Sequence, residues 1–301
     1  MTDGYVRRAA GCEVPDVGDG LWERVRDAVM AECGADRCLW NGVVEYVEAG
    51  AEVAGVVGLD GSLRLHRDFV VEPLQEMYAR WERSAGPDLW MERRAALLTV
   101  VHEFTHLVVP REHDGAPGVV SMLYWPLEEG VTEAWSHARL DRIAKRVLPP
   151  QLAAGIEGVG GWREYPDWEP AARAFADQIG AELGVDGDEV LCRMVRESSL
   201  TMARAVADLL FDHSALPAVM PPDQQGTMRW DIAAPINWGF QDLLSLNGSV
   251  HVTSRRAIAR GSGLEIADAA VEIVRKAEFR LCVGPAVERP SSRTPSPGSQ
   301  G

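Results

Sequence analysis

The segment from Leu89 to Val109 most restricts how this chain can fold. Its hydrophobic spacing predicts a long helix, and the second half, Ala95 to Val109, is apolar on nearly every side. A helix without a polar face must be enclosed by other elements, and Pro110 ends it because proline cannot continue the backbone hydrogen bonding. We therefore expect a globular fold built around this helix.

The chain before this helix alternates between one helix and short strands. A helix is predicted over Asp19 to Cys33, ended by Gly34. Three strands are predicted at Val43 to Val47, Glu52 to Leu59 and Leu63 to Val70. The dipeptide Asp60-Gly61 between the last two strands indicates a tight turn and an antiparallel hairpin. A further helix is expected from Pro73 to about Arg83.

The chain after the central helix is mostly helical in pattern. A strand-like run, Val119 to Trp125, precedes a helix that begins at Pro126 and continues to about Val147. The segment from Pro217 to Asp231 is expected to cross the surface, and the Pro/Ser/Gly-rich tail from Gly284 is expected to be disordered. Further helical patterns occur at Ala171 to Leu183, Asp188 to Phe211, Trp238 to Leu246 and Leu264 to Arg280.

These patterns predict an α+β fold: a small antiparallel or mixed sheet with the central helix, followed by a mostly helical lobe. The expected divisions are residues 1–118, residues 119–283 and a tail of residues 284–301. The net charge is -15 and the isoelectric point is about 4.9, which disfavours nucleic acid and anionic membrane surfaces as partners. Five scattered cysteines and no secretory apolar stretch favour reduced thiols and a cytoplasmic location.

The central helix carries a metal-binding pattern, His102-Glu103-Phe104-Thr105-His106. Side chains four residues apart lie on one helical face, so both imidazoles can reach one zinc ion. Glu103 is rotated by about 100° from His102 and is therefore placed beside the ion, as a general base that activates water. Ionisable groups in an apolar helix are costly without a partner, and a metal would offset that cost.

A hydrolytic zinc ion needs a third protein ligand and one open position. Glu112, with His113 beside it, is one candidate in the loop that follows the helix, although Val109-Pro110 stands where such a short loop needs a glycine. Glu129 is the second candidate, at the expected start of the next helix, and Glu133 is the third, one turn further on. Glu128 is expected to be part of a solvated acidic helix start.

The run Glu129-Gly130-Val131-Thr132, with Tyr124-Trp125 before it and the His-Glu-Phe-Thr-His run upstream, resembles the signature of gluzincin peptidases, which include aminopeptidase and glycyl-aminopeptidase relatives. The resemblance covers Val101 to Trp135. It implies that Glu129 is the third ligand, that Gly130 lets the helix approach the metal, and that Glu133 orients His102 or His106.

The same resemblance implies a zincin-like plan, with an edge strand beside the active-site helix, and Leu63 to Arg67 is the candidate for that strand. It also implies a transition-state donor in the second lobe. Tyr165 and His213 are the preferred candidates, and Tyr124, His137 and His251 are others. No Gly-x-Met-x-Asn signature lies upstream, so aminopeptidase activity is not implied.

The expected function is that of a zinc-dependent hydrolase that cleaves a peptide or small amide with Glu103 as general base. One alternative is a non-proteolytic zinc enzyme, such as a lyase, cyclase or amidohydrolase of a small-molecule biosynthetic pathway. Another is a catalytically inactive binding protein that keeps the zincin-like fold. The binding protein predicts a metal with four protein ligands and no exchangeable water, or no metal. Under either enzymatic interpretation, replacing Glu103 by Gln should abolish turnover while zinc stays bound.

Overall fold

The computed structural model describes residues 20–47, 54–79, 86–108, 117–160, 165–246 and 252–283. The described chain is mostly helical with one small mixed sheet of three strands, which is compatible with the predicted α+β class. The predicted tail, the loop candidates Glu112 and His113, and His251 lie outside the described residues. No helix within the described ranges combines the length and apolarity needed to cross a membrane.

The first part of the chain forms one helix and the sheet. Helix α1 spans Leu21–Cys33 and ends at Gly34, which has a φ of 70°. Strands β1, β2 and β3 follow at Val44–Val47, Gly55–Val57 and Leu63–His66. A π-helical turn over Arg67–Val71 then leads into α2, Glu72–Ala79.

The sheet confirms the hairpin and corrects the identity of the edge strand. β2 and β3 pair antiparallel, with Gly55 opposite Leu65, and the turn between them contains Gly61 at a φ of 84°. β1 pairs with β3 in parallel, so the strand order is β1-β3-β2. The prediction that Leu63 to Arg67 forms the edge is therefore wrong: β3 is central, and β2 is an edge strand that packs on the central helix.

The central helix, α3, spans Pro87–Leu107, close to its predicted limits. Helix α4 spans Pro117–Val147 and packs along α3, so the predicted strand at Val119 to Trp125 is wrong. Pro126 lies inside α4 instead of starting it. The run from Val119 to Trp125 has β-forming residues, but it is continuous with the long helix that packs along α3. This tertiary context outweighs the local β propensity.

The remaining helices correct one prediction and confirm another. The pattern from Asp188 to Phe211 is divided into two helices by residues 195–201. The segment from Pro217 to Asp231 lies at the surface as expected, and it is largely helical. These helices are α5 Pro150–Ile156, α6 Glu169–Leu183, α7 Gly187–Met194, α8 Met202–Asp212, α9 Leu216–Val219, α10 Pro222–Asp242 and α11 Val252–Val283, with a 3₁₀ turn at Leu243–Leu246 before α11.

Buried apolar side chains form one continuous core through the described residues. It extends from Leu21 on α1 to Val274 on α11 and includes Trp135 of α4, which is completely buried. Helices α3 and α4 were predicted to belong to different lobes, and they pack against each other within this core. Their contact fixes the relative positions of the two histidines on α3 and the acidic residues on α4.

Candidate metal centre

Two neighbouring helices bring the predicted ligands together. His102 and His106 lie one turn apart on α3, and Glu129 faces them from α4. All three are largely buried, with side-chain exposures of 7%, 13% and 12%. They form the one His/Cys/Asp/Glu group within the described ranges that could hold a metal ion.

The three donor atoms form a nearly equilateral triangle. His102 Nε2 lies 3.0 Å from Glu129 Oε2 and 3.1 Å from His106 Nε2. The third edge, from His106 Nε2 to Glu129 Oε2, is 3.4 Å. Ligand atoms about 2.0–2.1 Å from a tetrahedral zinc ion are ~3.3 Å apart, so this triangle matches one face of such a coordination tetrahedron.

The other nitrogen of each imidazole faces a carboxylate. His102 Nδ1 lies 3.1 Å from Glu133 Oε2, and His106 Nδ1 lies 3.2 Å from Glu128 Oε1. When each Nδ1–H donates to its carboxylate, both Nε2 atoms present lone pairs to the Glu129 oxygen. Three acceptors that converge at hydrogen-bond distance repel one another unless protons or a metal cation lie between them, and two imidazoles with one carboxylate are a ligand set that suits a divalent metal.

The electrostatics of the protein groups agree with a cation-binding pocket. Burial lowers the pKa of His102, but hydrogen bonds to Glu129 and Glu133 outweigh it and raise the pKa to about 10. Burial also lowers the pKa of His106, but the charge of Glu129 and the hydrogen bond to Glu128 outweigh burial and raise that pKa well above its ordinary value. Burial raises the pKa of Glu129, yet the charge of His106 and the His102 hydrogen bond hold it below its ordinary value. Without metal, the pocket therefore attracts protons to its imidazoles.

Glu133 has the orienting position that the resemblance implied. Its side chain is only 3% exposed, one carboxylate oxygen faces His102, and the other lies 3.1 Å from His137 Nε2. Burial raises its pKa, but the hydrogen bonds to these two histidines lower it to about 2. Glu133 faces Nδ1 of His102, the nitrogen that points away from the triangle. Glu129 is therefore the third member of the metal-binding group, and Glu133 orients His102.

The surroundings of Glu128 differ from those predicted. It was expected to be a solvated residue at a helix start, but α4 begins earlier and the carboxylate contacts His106. Its side chain is 27% exposed, so this carboxylate keeps contact with solvent. Neither this contact nor the contact between Glu133 and His137 was predicted from the sequence. The four-residue spacing of Glu133 and His137 could have indicated the second contact, because such residues are neighbours on a helix.

Glu103 lies beneath the edge of the sheet. It is 7% exposed, and a Cβ added to Gly55 of β2 would lie 2.8 Å from its Cγ and 2.9 Å from its Oε1. Glycine is therefore required at position 55 for β2 to cross the Glu103 side chain. The predicted base is enclosed by an edge strand, although that strand is β2 and not β3.

The two preferred donor candidates lie in different surroundings. The Tyr165 ring stacks on the His102 imidazole, with centroids 5.8 Å apart and planes at 25°. His213 is exposed at the end of α8, where its Nδ1 lies 2.9 Å from the Leu209 carbonyl oxygen. The structure thus brings Tyr165 to the metal-binding group and shows His213 in contact with its own helix.

Gly130 leaves room for the turn that carries two aromatic residues. A Cβ at this position would lie 2.9 Å from the carbonyl oxygen of Trp168, so the missing side chain lets the turn that contains Tyr165 and Trp168 pack against α4. The close approach of α4 to the metal at Gly130, which the resemblance implied, stays a prediction. Trp125 Nε1 also donates to Glu129 Oε1 at 2.7 Å, which fixes the second oxygen of that carboxylate.

Comparison with protein-family models, with curated proteins and with solved structures finds no match. The functional conclusions therefore depend on the geometry of this site and on the motif that the sequence contains.

Proposed function

We propose that this chain is a zinc-dependent hydrolase with a zincin-like active site, acting on a peptide or small amide. The observation that carries the proposal is the triangle formed by His102 Nε2, His106 Nε2 and Glu129 Oε2, with carboxylates behind both imidazoles. Two imidazoles and one carboxylate are a common ligand set for catalytic zinc.

The number of protein donors favours catalysis over a purely structural ion. The metal-binding group within the described ranges has three members, and structural zinc sites usually have four protein ligands. A fourth position would then be available to water or substrate. When bound there, zinc supplies Lewis-acid polarisation of the substrate carbonyl and lowers the pKa of water.

Each nearby residue has a specific task in this proposal. Glu103 accepts a proton from the attacking water and delivers it to the leaving amine, since the helical repeat places it beside the face that carries His102 and His106. Glu133 and Glu128 hold their histidines in the tautomer that presents Nε2. Tyr165, which stacks on His102, remains the preferred donor to the developing oxyanion.

The direct test is replacement of Glu103 by Gln in the zinc-loaded chain, assayed on a mixed peptide pool by mass spectrometry. We expect turnover to fall by about a thousandfold or more because the base is lost, while the zinc content is unchanged. Glu92→Gln is the matched control, since Glu92 is an exposed residue of the same helix, and it should leave both unchanged. Unchanged turnover in Glu103→Gln would reject the base. No cleavage by the zinc-loaded wild-type chain would reject peptidase activity in favour of the non-proteolytic alternative.

A further inference from the structure

A stack of aromatic rings leads from the metal-binding group to the surface. The Tyr165 ring lies between His102 and Trp168, and the Tyr165 and Trp168 rings are nearly parallel, 5.0 Å apart at 11°. Trp168 contacts Trp125 with centroids 5.8 Å apart and planes tilted at 57°, so Trp125 adjoins the stacked rings without being parallel to them. Trp168 is 7% exposed, whereas Trp125 is 44% exposed, so Trp125 is the solvent end of this aromatic stack.

Trp125 is tied directly to a proposed metal ligand. Its indole N–H donates to Glu129 Oε1, and the other oxygen of that carboxylate belongs to the ligand triangle. This hydrogen bond and the contact with Trp168 hold the ring, so its exposed part is already in place before a ligand arrives. Trp230 and Trp238 are even more exposed, but both lie on α10. Exposure alone therefore does not distinguish Trp125; its connection to Glu129 does.

We infer that Trp125 selects substrates that carry a flat aromatic group next to the scissile amide. This inference rests on the proposed function, because it assumes that the substrate carbonyl lies at the metal. A group bound beside Glu129 lies next to the exposed Trp125 ring, and offset stacking there would extend the aromatic stack by one member. Trp125 would act in binding and selectivity, without taking part in proton transfer.

The test compares two small metal-binding probes on the zinc-loaded full chain by isothermal titration calorimetry. Benzohydroxamate carries a flat ring beside its chelating group, and acetohydroxamate has the same chelating group with a methyl. We expect benzohydroxamate to bind at least about fivefold more tightly, since stacking adds to apolar burial. Both probes carry the same chelating group, so a change that a variant causes at the metal site affects both dissociation constants. Their ratio therefore reports the contribution of the aromatic ring.

Two variants separate stacking from the hydrogen bond to Glu129. Trp125→Phe keeps an aromatic face and loses the donor, so it should retain most of the preference. Trp125→Gln keeps an N–H donor and loses the face, so the preference should fall to about twofold or less. Trp238→Gln, a change at a more exposed tryptophan on α10, should retain the wild-type preference.

The outcomes distinguish this inference from the proposed function. If neither hydroxamate binds the zinc-loaded chain, the open coordination position is absent and the proposed function fails together with this inference. If both bind equally, or if the preference persists in Trp125→Gln, only the role of Trp125 is overturned. Tighter binding of glycine hydroxamate than of benzohydroxamate would likewise overturn it, because the site would then select a cation.

Discussion

The two histidines of the candidate metal centre have the same spacing on α3 but different support. The Nδ1 atom of His102 contacts Glu133, which is 3% exposed and is also hydrogen-bonded to His137. These three side chains form a largely buried hydrogen-bonded series behind the ligand triangle. His106 is backed by Glu128, which is 27% exposed. We call these the inner half and the outer half of the centre.

The difference indicates which half is preorganised. A buried carboxylate cannot exchange its partner for water, so the inner half fixes both the ring orientation and the tautomer of His102. Water can replace the partially exposed carboxylate of the outer half at little cost. Changes to the inner half should therefore weaken metal binding more than equivalent changes to the outer half.

The largest expected effect is that of pH, and it involves both halves. The pKa of His102 is raised to about 10 and that of His106 is raised well above its ordinary value, so at least one imidazole of the pair carries an extra proton near neutral pH when no metal is bound. Zinc must displace this proton, so its apparent affinity should rise with pH until pH passes about 10. A release of at least about one proton per ion corresponds to roughly tenfold in affinity per pH unit.

Calorimetric titration of zinc at pH 7 in buffers of different ionisation enthalpy measures this release. An affinity independent of pH, with no proton released, would show that the imidazoles do not bind the ion.

The next largest effect concerns the inner carboxylate. Glu133→Ala should lower zinc affinity by about 10–100-fold because His102 loses the acceptor for Nδ1. Competition with a fluorescent zinc chelator measures the change. Ser136→Ala is the control on the same helix, since the buried Ser136 hydroxyl has no hydrogen-bond partner among the described residues, and it should bind zinc as the wild type does.

A smaller effect is expected one step further from the metal. His137→Phe removes the donor to Glu133 Oε1 and should lower zinc affinity by about three- to tenfold, while His137→Gln keeps a donor and should restore most of the loss. Equal affinities for these two variants, measured by the same competition, would mean that His137 has no positioning role.

The smallest effect should be in the outer half. Glu128→Ala should lower zinc affinity by about threefold or less because water can accept the His106 Nδ1–H at this exposed position. A loss as large as that of Glu133→Ala would contradict the division into inner and outer halves.

The sequence predicted the parts of this site that depend on local spacing. The His102–His106 pair and the Glu129–Glu133 pair each lie at a helical repeat, so their common faces follow from periodicity. The support of His106 by Glu128 could not be predicted, because it depends on the rotation of α4 against α3. That rotation is set by packing of the whole helices.

The errors in the fold have a similar origin. The run from Val119 to Trp125 has strand-forming residues and ends before a proline, yet it lies within α4. The hairpin was correctly predicted from Asp60-Gly61, but the pairing of β1 with β3 is non-local and decided which strand is at the edge. Local pattern therefore indicated the elements, and long-range contacts determined which of them lies over Glu103.

Zinc binding by His102, His106 and Glu129 is tested most directly by zinc-edge X-ray absorption of the chain loaded with one equivalent of zinc. We expect nitrogen and oxygen ligands at about 2.0–2.1 Å, with an imidazole signal from two histidines that is lost when His102 and His106 are replaced. Sulfur ligands at about 2.3 Å would indicate that the cysteines hold the ion and would overturn this ligand set, as would a spectrum unchanged by those replacements.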